Sequence, residues 1–377
     1  MKRSGHGRQW GIFFLFFGIL LGLGGCKKET AETAADDSVS LMDWCYTSEG
    51  LLYQRAKGGA DGIGRVEYYD YETGAYLPLC AKANCLHQDE ECMAVYLGQN
   101  AEQIGRCGGN WYYHVTEADG TGSFRRCELD GSGEVTVGAF PHRLGWKAVY
   151  EANSCITLTW DLVLDETKNE VIYRSGIYRI NLENGKAEPL LSETESDDMA
   201  YELYGIYGKL LVYGEKEQFG YRAGVYHLDT GETDGLFQGQ EVLAGNLKNM
   251  DGSRLLCAVR ENGSYTVKLI DMDSMEEKTV MEGLSAGPVF CADGGELLMS
   301  MPEETKAEAS WSIYRIQEDG ACEKIRMEAG DSAVIPIAVT EKQVVGRPCN
   351  DEAQALAVMP REEFLKGSGS WEERKAE

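Results

Sequence analysis

The sequence predicts an all-β chain, a β-propeller of four-stranded blades, on three observations. One hairpin pattern recurs six times, with turns near residues 74, 131, 185, 231, 275 and 320. Successive turns are 57, 54, 46, 44 and 45 residues apart. No stretch carries the 3.6-residue period of a long amphipathic helix. A period of ~40–50 residues holding four short strands is the signature of a propeller blade.

The chain begins "MKRSGHGRQWGIFFLFFGILLGLGGC". Lys2, Arg3 and Arg8 form a positive leader, and Trp10 to Leu23 is an apolar run. Such a run is shorter than the ~20 residues that span a bilayer as a helix, and it fits the apolar core of a secretory signal over residues 1–25. Leu23-Gly24-Gly25-Cys26 resembles the lipobox of bacterial lipoproteins, which implies cleavage before Cys26 and acylation of its sulfur. Acyl chains anchor firmly because each buried CH₂ contributes ~0.8 kcal/mol. Residues 26–40 then read as a flexible tether, since "KKETAETAADDSVS" has no large apolar side chain. The expected location is therefore the outer face of the cell membrane.

Removing Lys2, Arg3 and Arg8 leaves 33 Lys and Arg against 62 Asp and Glu, a formal charge of −29. Such a surface repels phosphate backbones, so nucleic acid is not an expected partner. The acidity is spread along the chain, which suits solubility better than a cation store.

The propeller is expected over residues 41–366. "SLMDWCYTSEGLLYQRA" (40–56) holds two strand-like pieces. The hairpins follow: "VEYYDYETGAYLPL" (66–79), "FRRCELDGSGEVTV" (124–137), "GIYRINLENGKAEPL" (176–190), "GVYHLDTGETDGL" (224–236), "VKLIDMDSMEEKTV" (267–280) and "SIYRIQEDGACEKI" (312–325). In the third, Ile177, Arg179 and Asn181 share one face and Tyr178, Ile180 and Leu182 the other, the period-two pattern of a strand. A last, degenerate copy lies near "QALAVMP" (354–360), which makes seven blades the best count, with six or eight permitted. Strands from the two chain ends are expected to share one blade, removing the exposed edges of an open ring. Residues 367–377 read as a polar tail.

The lipobox, the repeated "IYRI…NG…L" hairpins and "LCAKANCLHQDEEC" together resemble TolB-like and WD40-like β-propeller lipoproteins, especially surface lipoproteins of anaerobic Gram-positive gut bacteria.

The candidate chemistry is Cys80-x₄-Cys85-x-His87-x₄-Cys92. Three thiols and an imidazole are a common structural zinc set, which makes one zinc the first expectation and iron the second. The spacing lacks the C-x₂-C pair of zinc fingers. Ligands five apart fall on opposite faces of a strand, so a chelate needs an irregular loop folded back on itself. A disulfide between two of the three cysteines, leaving one thiol free, is the second reading and suits an exported protein; structural thiols with His87 capping a turn are the third. Cys45, Cys107, Cys127, Cys155, Cys257, Cys291, Cys322 and Cys349 are scattered, several of them inside predicted strands, as small buried hydrophobes are. That pattern tilts the balance toward metal. The cluster joins two blades, where a connection is expected on the ligand-binding face.

Catalysis finds little support. The sequence has no G-x-S-x-G, H-E-x-x-H or P-loop motif. His114 and His227 lie in predicted strands and His142 follows a proline in a loop; lone histidines of this kind read as structural. "DMDSMEE" (271–277) lacks the central glycine of a calcium loop. Trp111, Trp146, Trp160 and Trp311 offer a contact surface but are expected mainly in the core. The leading expectation is a lipid-anchored module that binds or scaffolds a protein or glycan. Its rivals are a glycan lyase or hydrolase with its site in the propeller channel, and a metal or redox sensor built on the cluster.

Overall fold

The computed structural model describes residues 38–375 apart from 42–43, 56–61, 118, 166, 218–220, 238–239, 246–252, 262, 294, 304–310, 328–332 and 350–354. The signal sequence, the lipobox and Cys26 lie outside the described residues. No described helix is long and apolar enough to cross a membrane.

After β1 (Ser38–Leu41), the strands fall into consecutive four-stranded antiparallel meanders. The first is β2 (Trp44–Tyr46), β3 (Gly50–Arg55), β4 (Arg65–Asp70) and β5 (Tyr76–Pro78). Helix α1 (Met93–Asn100) leads into the second: β6 (Ala101–Cys107), β7 (Asn110–Thr116), β8 (Gly122–Glu128) and β9 (Val135–Ala139). The third is β10 (Arg143–Glu151), β11 (Ser154–Asp165), β12 (Glu170–Asn181) and β13 (Ala187–Ser196). Next come β14 (Tyr201–Tyr207), β15 (Leu210–Lys216), β16 (Tyr221–His227) and β17 (Thr233–Gly235). The fifth is β18 (Glu241–Gly245), β19 (Arg254–Glu261), β20 (Ser264–Asp271) and β21 (Glu276–Leu284). The sixth is β22 (Val289–Asp293), β23 (Glu296–Pro302), β24 (Trp311–Ile316) and β25 (Cys322–Ile325). The last is β26 (Val334–Val339), β27 (Gln343–Pro348), β28 (Leu356–Pro360) and β29 (Glu372–Arg374), with helix α2 (Arg361–Lys366) between β28 and β29.

Each hairpin turn predicted from sequence has a left-handed residue at its predicted centre: Gly74, Gly131, Gly185, Gly231, Met275 and Gly320. The residue opening the turn supplies the local chemistry. Asp70, Asn181 and Asp271 each use a side-chain oxygen to accept backbone N–H groups two and three residues on. Met275, at φ +57°, is the one non-glycine in the set.

The core is a succession of seams between neighbouring meanders. The first and second pack through Leu52, Val66, Trp111 and Tyr113, the second and third through Tyr112, Phe124, Tyr150 and Ile180. The series runs on to Leu298 and Ile313 against Val344 and Met359. The ring closes where Trp44, Leu51 and Tyr69 of the first meander pack on Val345, Leu356 and Val358 of the last. Gln343 crosses that seam, accepting from the Tyr69 hydroxyl at 3.2 Å and donating to the Tyr71 carbonyl at 3.2 Å.

This closure corrects the expected one. Among the described residues no ladder joins strands from the two chain ends; side-chain packing closes the ring instead. β1 pairs with β2 and with β10, Ser38 opposite Tyr150 and Leu41 opposite Lys147. Ser38, Val39 and Ser40 are buried, so the expected tether of residues 26–40 is a strand over its last three residues. With Val39 as its only apolar side chain there, backbone pairing determines this strand and side-chain pattern does not announce it. The expected polar tail likewise contributes β29, paired with Leu356–Val358 and preceded by Trp371, which packs on the Phe364 core.

Candidate metal centre

The site begins where β5 ends. Leu79 continues the ladder by donating its N–H to the Val66 carbonyl, and the chain then leaves the sheet. Residues 80–92 form no regular element. Asn84 and His87 both adopt left-handed backbone, φ +58° and +51°, which turns the chain back on itself twice. The Lys82 ammonium donates to the Glu91 carbonyl across the loop. The loop ends at Cys92, whose carbonyl accepts from the N–H groups of Val95 and Tyr96 and starts α1.

Helix α1 fixes the site between the first two meanders. Ala94, Val95 and Leu97 are buried with Cys92 among Leu52, Val66, Trp111 and Cys127. Gly98 lies so close to β4 that an added Cβ would stand 2.4 Å from both the N and Cα of Arg65, so only glycine fits. The Gln54 amide donates to the carbonyls of Leu97 and Ala101, closing the C-terminal end of the helix. The Met93 side chain packs against Gly131 in the outer turn of the second meander. The connection therefore fills the seam between the first two meanders, with Met93 beside that outer turn.

One donor atom from each of Cys80, Cys85, His87 and Cys92 lies within 4.8 Å of the other three. His87 Nδ1 is 3.2 Å from Cys92 Sγ. A tetrahedral ion with metal–sulfur bonds of ~2.3 Å has donor–donor edges of ~3.8 Å, which these separations bracket. Cys80, Cys85 and Cys92 are all thiols, with no disulfide among them. A Cys/His cluster able to hold a metal ion is thus present, built from the four residues that the sequence singled out.

The environment of the donors differs. Cys92 is buried, which pushes its thiol up to about 11. Cys85 is held below the usual thiol range, chiefly by the His87 backbone N–H, with smaller help from Cys92, Cys80 and Lys82. Burial and the nearby Arg65 charge lower His87, favouring the neutral imidazole that a metal requires. A dication reverses the mutual repulsion of the thiolates and makes all three ionised states compatible.

The other histidines are built into the protein. His114 is buried, with Nδ1 3.1 Å from Glu102 and Nε2 2.7 Å from the Phe140 carbonyl. His142 Nδ1 is 2.7 Å from Asp161, and its Nε2 is 3.5 Å from Glu193. His227 Nε2 pairs with Asp234 at 3.0 Å. Sequence inspection missed the His142–Asp161–Glu193 group because its members come from three parts of the third repeat. Trp111 is buried, whereas Trp146, Trp160 and Trp311 are half-buried.

No protein-family model matches the chain, and no curated protein matches it in sequence. Solved structures do. A puromycin-hydrolysing peptidase of Mycobacterium tuberculosis is 13% identical, with a TM-score of 0.56 over 91% of this chain and 54% of its own. An oligogalacturonate lyase in complex with manganese is 12% identical, with a TM-score of 0.51 over 86% of this chain and 90% of its own. TolB from Acinetobacter baumannii is 13% identical and covers 86% of this chain and 77% of its own, with a TM-score of 0.38. This chain spans about half the length of the peptidase. The likenesses are those of fold: the chain is an all-β propeller of four-stranded sheets.

Proposed function

We propose that the protein is a lipid-anchored, extracytoplasmic propeller of seven blades that binds or scaffolds a protein or glycan. One structural zinc braces the seam between its first two blades. The observation that carries this reading is the four-donor set. Four protein ligands complete a tetrahedron and leave no open position for water or substrate, so the ion is structural and not catalytic. Three sulfurs and one imidazole suit zinc; manganese prefers oxygen donors. The apolar seat of α1 against β4 and β7 explains what a metal accomplishes here, because it pins an irregular loop to a helix that wedges two blades together. Anchoring through Cys26, and a ligand other than nucleic acid, follow from the lipobox-like sequence and the acidic composition.

A second reading, a glycan lyase acting in the channel, is favoured by one observation: the lyase resembles this chain over 90% of the lyase's length. At 12% identity this likeness supports a fold and not an activity. The purified chain, screened on an array of acidic and neutral glycans with product analysis, separates the two readings. Retention of a glycan without new reducing or unsaturated ends supports the binding module. Turnover that disappears with a single channel carboxylate overturns it.

A further inference from the structure

The direction of β1 says which side of the ring the chain enters, and hence which side an anchor upstream of it would hold toward a membrane. In five meanders the N–H opening the outer turn donates to a carbonyl in the turn between the first two strands. These pairs are Tyr71 to Glu49, Leu182 to Asn153, Leu228 to Lys209, Met272 to Ser253, and Arg361 to Lys342. Both kinds of turn therefore share one face of the ring, the turn face. The loops between second and third strands, such as that at 167–169, and the connections between meanders, such as 140–142, lie toward the other.

β10 runs toward the turn face and ends at Glu151, just before the turn at Ala152 and Asn153. β1 is antiparallel to β10, and its first residue, Ser38, is level with Tyr150. The chain thus enters the ring from the turn face, against the first strands of three successive meanders. The Arg106 N–H, near the end of β6, donates to Ser38 Oγ at 2.6 Å, and Ser38 is buried. This ties down the point where the chain enters.

We propose that the turn face looks toward the membrane and the opposite face, with Lys168 and Asn169, is presented outward to partners. This rests on the reading of Cys26 as lipidated. Twelve residue steps separate Cys26 from Ser38. Fully extended they reach at most ~3.3–3.6 Å each, about 40 Å in all. A tether turning the ring over would cross a four-stranded blade with strands ~4.8 Å apart and climb a seven-residue strand at ~3.3 Å per residue. That path alone takes up nearly the whole reach before the channel, side chains and lipid headgroups are counted. Carboxylates on the turn face, among them Glu49, Asp70, Glu72 and Glu341, repel anionic headgroups. The ring accordingly stands off the bilayer on its tether and does not lie flat on it.

The test uses the full chain, acylated in a lipoprotein-processing host and reconstituted into phosphatidylcholine vesicles with a quencher on the headgroups. A fluorophore is placed by an azido amino acid at Glu183, in a turn on the turn face, or separately at Lys168, in the opposite loop. The expected result is at least twofold stronger quenching at Glu183. Equal quenching, or stronger quenching at Lys168, on protein shown by mass spectrometry to be acylated overturns the orientation alone. A mature chain without acyl groups, or a Cys26→Ser variant that still floats with vesicles, overturns the anchor itself. Inserting about twenty Gly and Ser residues after Ala35 should remove the difference. Its persistence would contradict the role of tether length.

Discussion

His87 Nδ1 lies 3.2 Å from Cys92 Sγ, and this contact joins the irregular loop to the N-cap residue of the helix wedged between the first two meanders. Cys92 is at once a donor of the cluster and a member of the core that holds α1. Metal occupancy and packing of the seam are therefore linked, and the following outcomes are expected.

Removing the metal should loosen the whole domain and not only the loop. A ligand present at a thousandfold its Kd stabilises the folded state by ~4 kcal/mol. Adding a zinc chelator should lower stability in urea by about that much, and Cys92→Ser should lower it similarly with no further effect of chelator. Cys322→Ser, remote from the cluster, should leave the chelator effect intact.

Zinc affinity should rise with pH. At neutral pH the unliganded Cys92 thiol, at about 11, carries a proton that binding must displace. The metal-bound state holds fewer protons than the free state, so raising pH favours binding. Affinity from competition with a chromophoric chelator should increase at least tenfold per pH unit from 6 to 8, a slope of one or more protons.

Gly98→Val tests the seat of the helix. Its Cβ would meet the Arg65 backbone at 2.4 Å, where no flexible side chain can yield. Overpacking of this kind costs ~1–3 kcal/mol. The substitution should lower stability in that range and weaken zinc binding, although residue 98 touches no ligand. Zinc titration of the folded variant measures the second effect.

Glu296 is buried and accepts from Arg315 at 2.6 and 3.0 Å and from Arg361 at 2.6 Å, joining the sixth meander to the last. Glu296→Gln removes the charge that these two guanidinium groups share. Both are partly solvated, so the expected loss is about 2 kcal/mol, below the 3–5 kcal/mol of a fully buried pair. Denaturant unfolding measures it.

Met275→Gly should stabilise the protein. Met275 is 43% exposed and holds φ +57°, a conformation glycine adopts freely. The expected gain is roughly 0.5–1 kcal/mol in urea unfolding, after the greater freedom of glycine in the unfolded chain is offset.

The hairpin turns were legible because their chemistry is local: Asp70 with Gly74, or Asn181 with Gly185, encodes the turn within five residues. The cluster was legible for the same reason, since its four ligands lie within thirteen residues. Helix α1 was not, because "MAVYLGQN" is too short to show a period and owes its place to Gly98 and Gln54 contacts with the first meander. Nor was the closure, which depends on pairing Ser38 with Tyr150 and packing Tyr69 on residues some 270 positions later. The Glu296 bridge and the His142 group are invisible in sequence for the same reason: their members meet only after the repeats fold.

The central claim is that Cys80, Cys85, His87 and Cys92 hold one zinc. Native mass spectrometry of the purified protein, with elemental analysis and thiol alkylation, tests it most directly. One zinc per chain is expected, protecting three thiols from alkylation and absent from Cys85→Ser. A metal-free chain two hydrogens lighter than its sequence, with only one thiol of the cluster open to alkylation, would show a disulfide in place of the metal and contradict it.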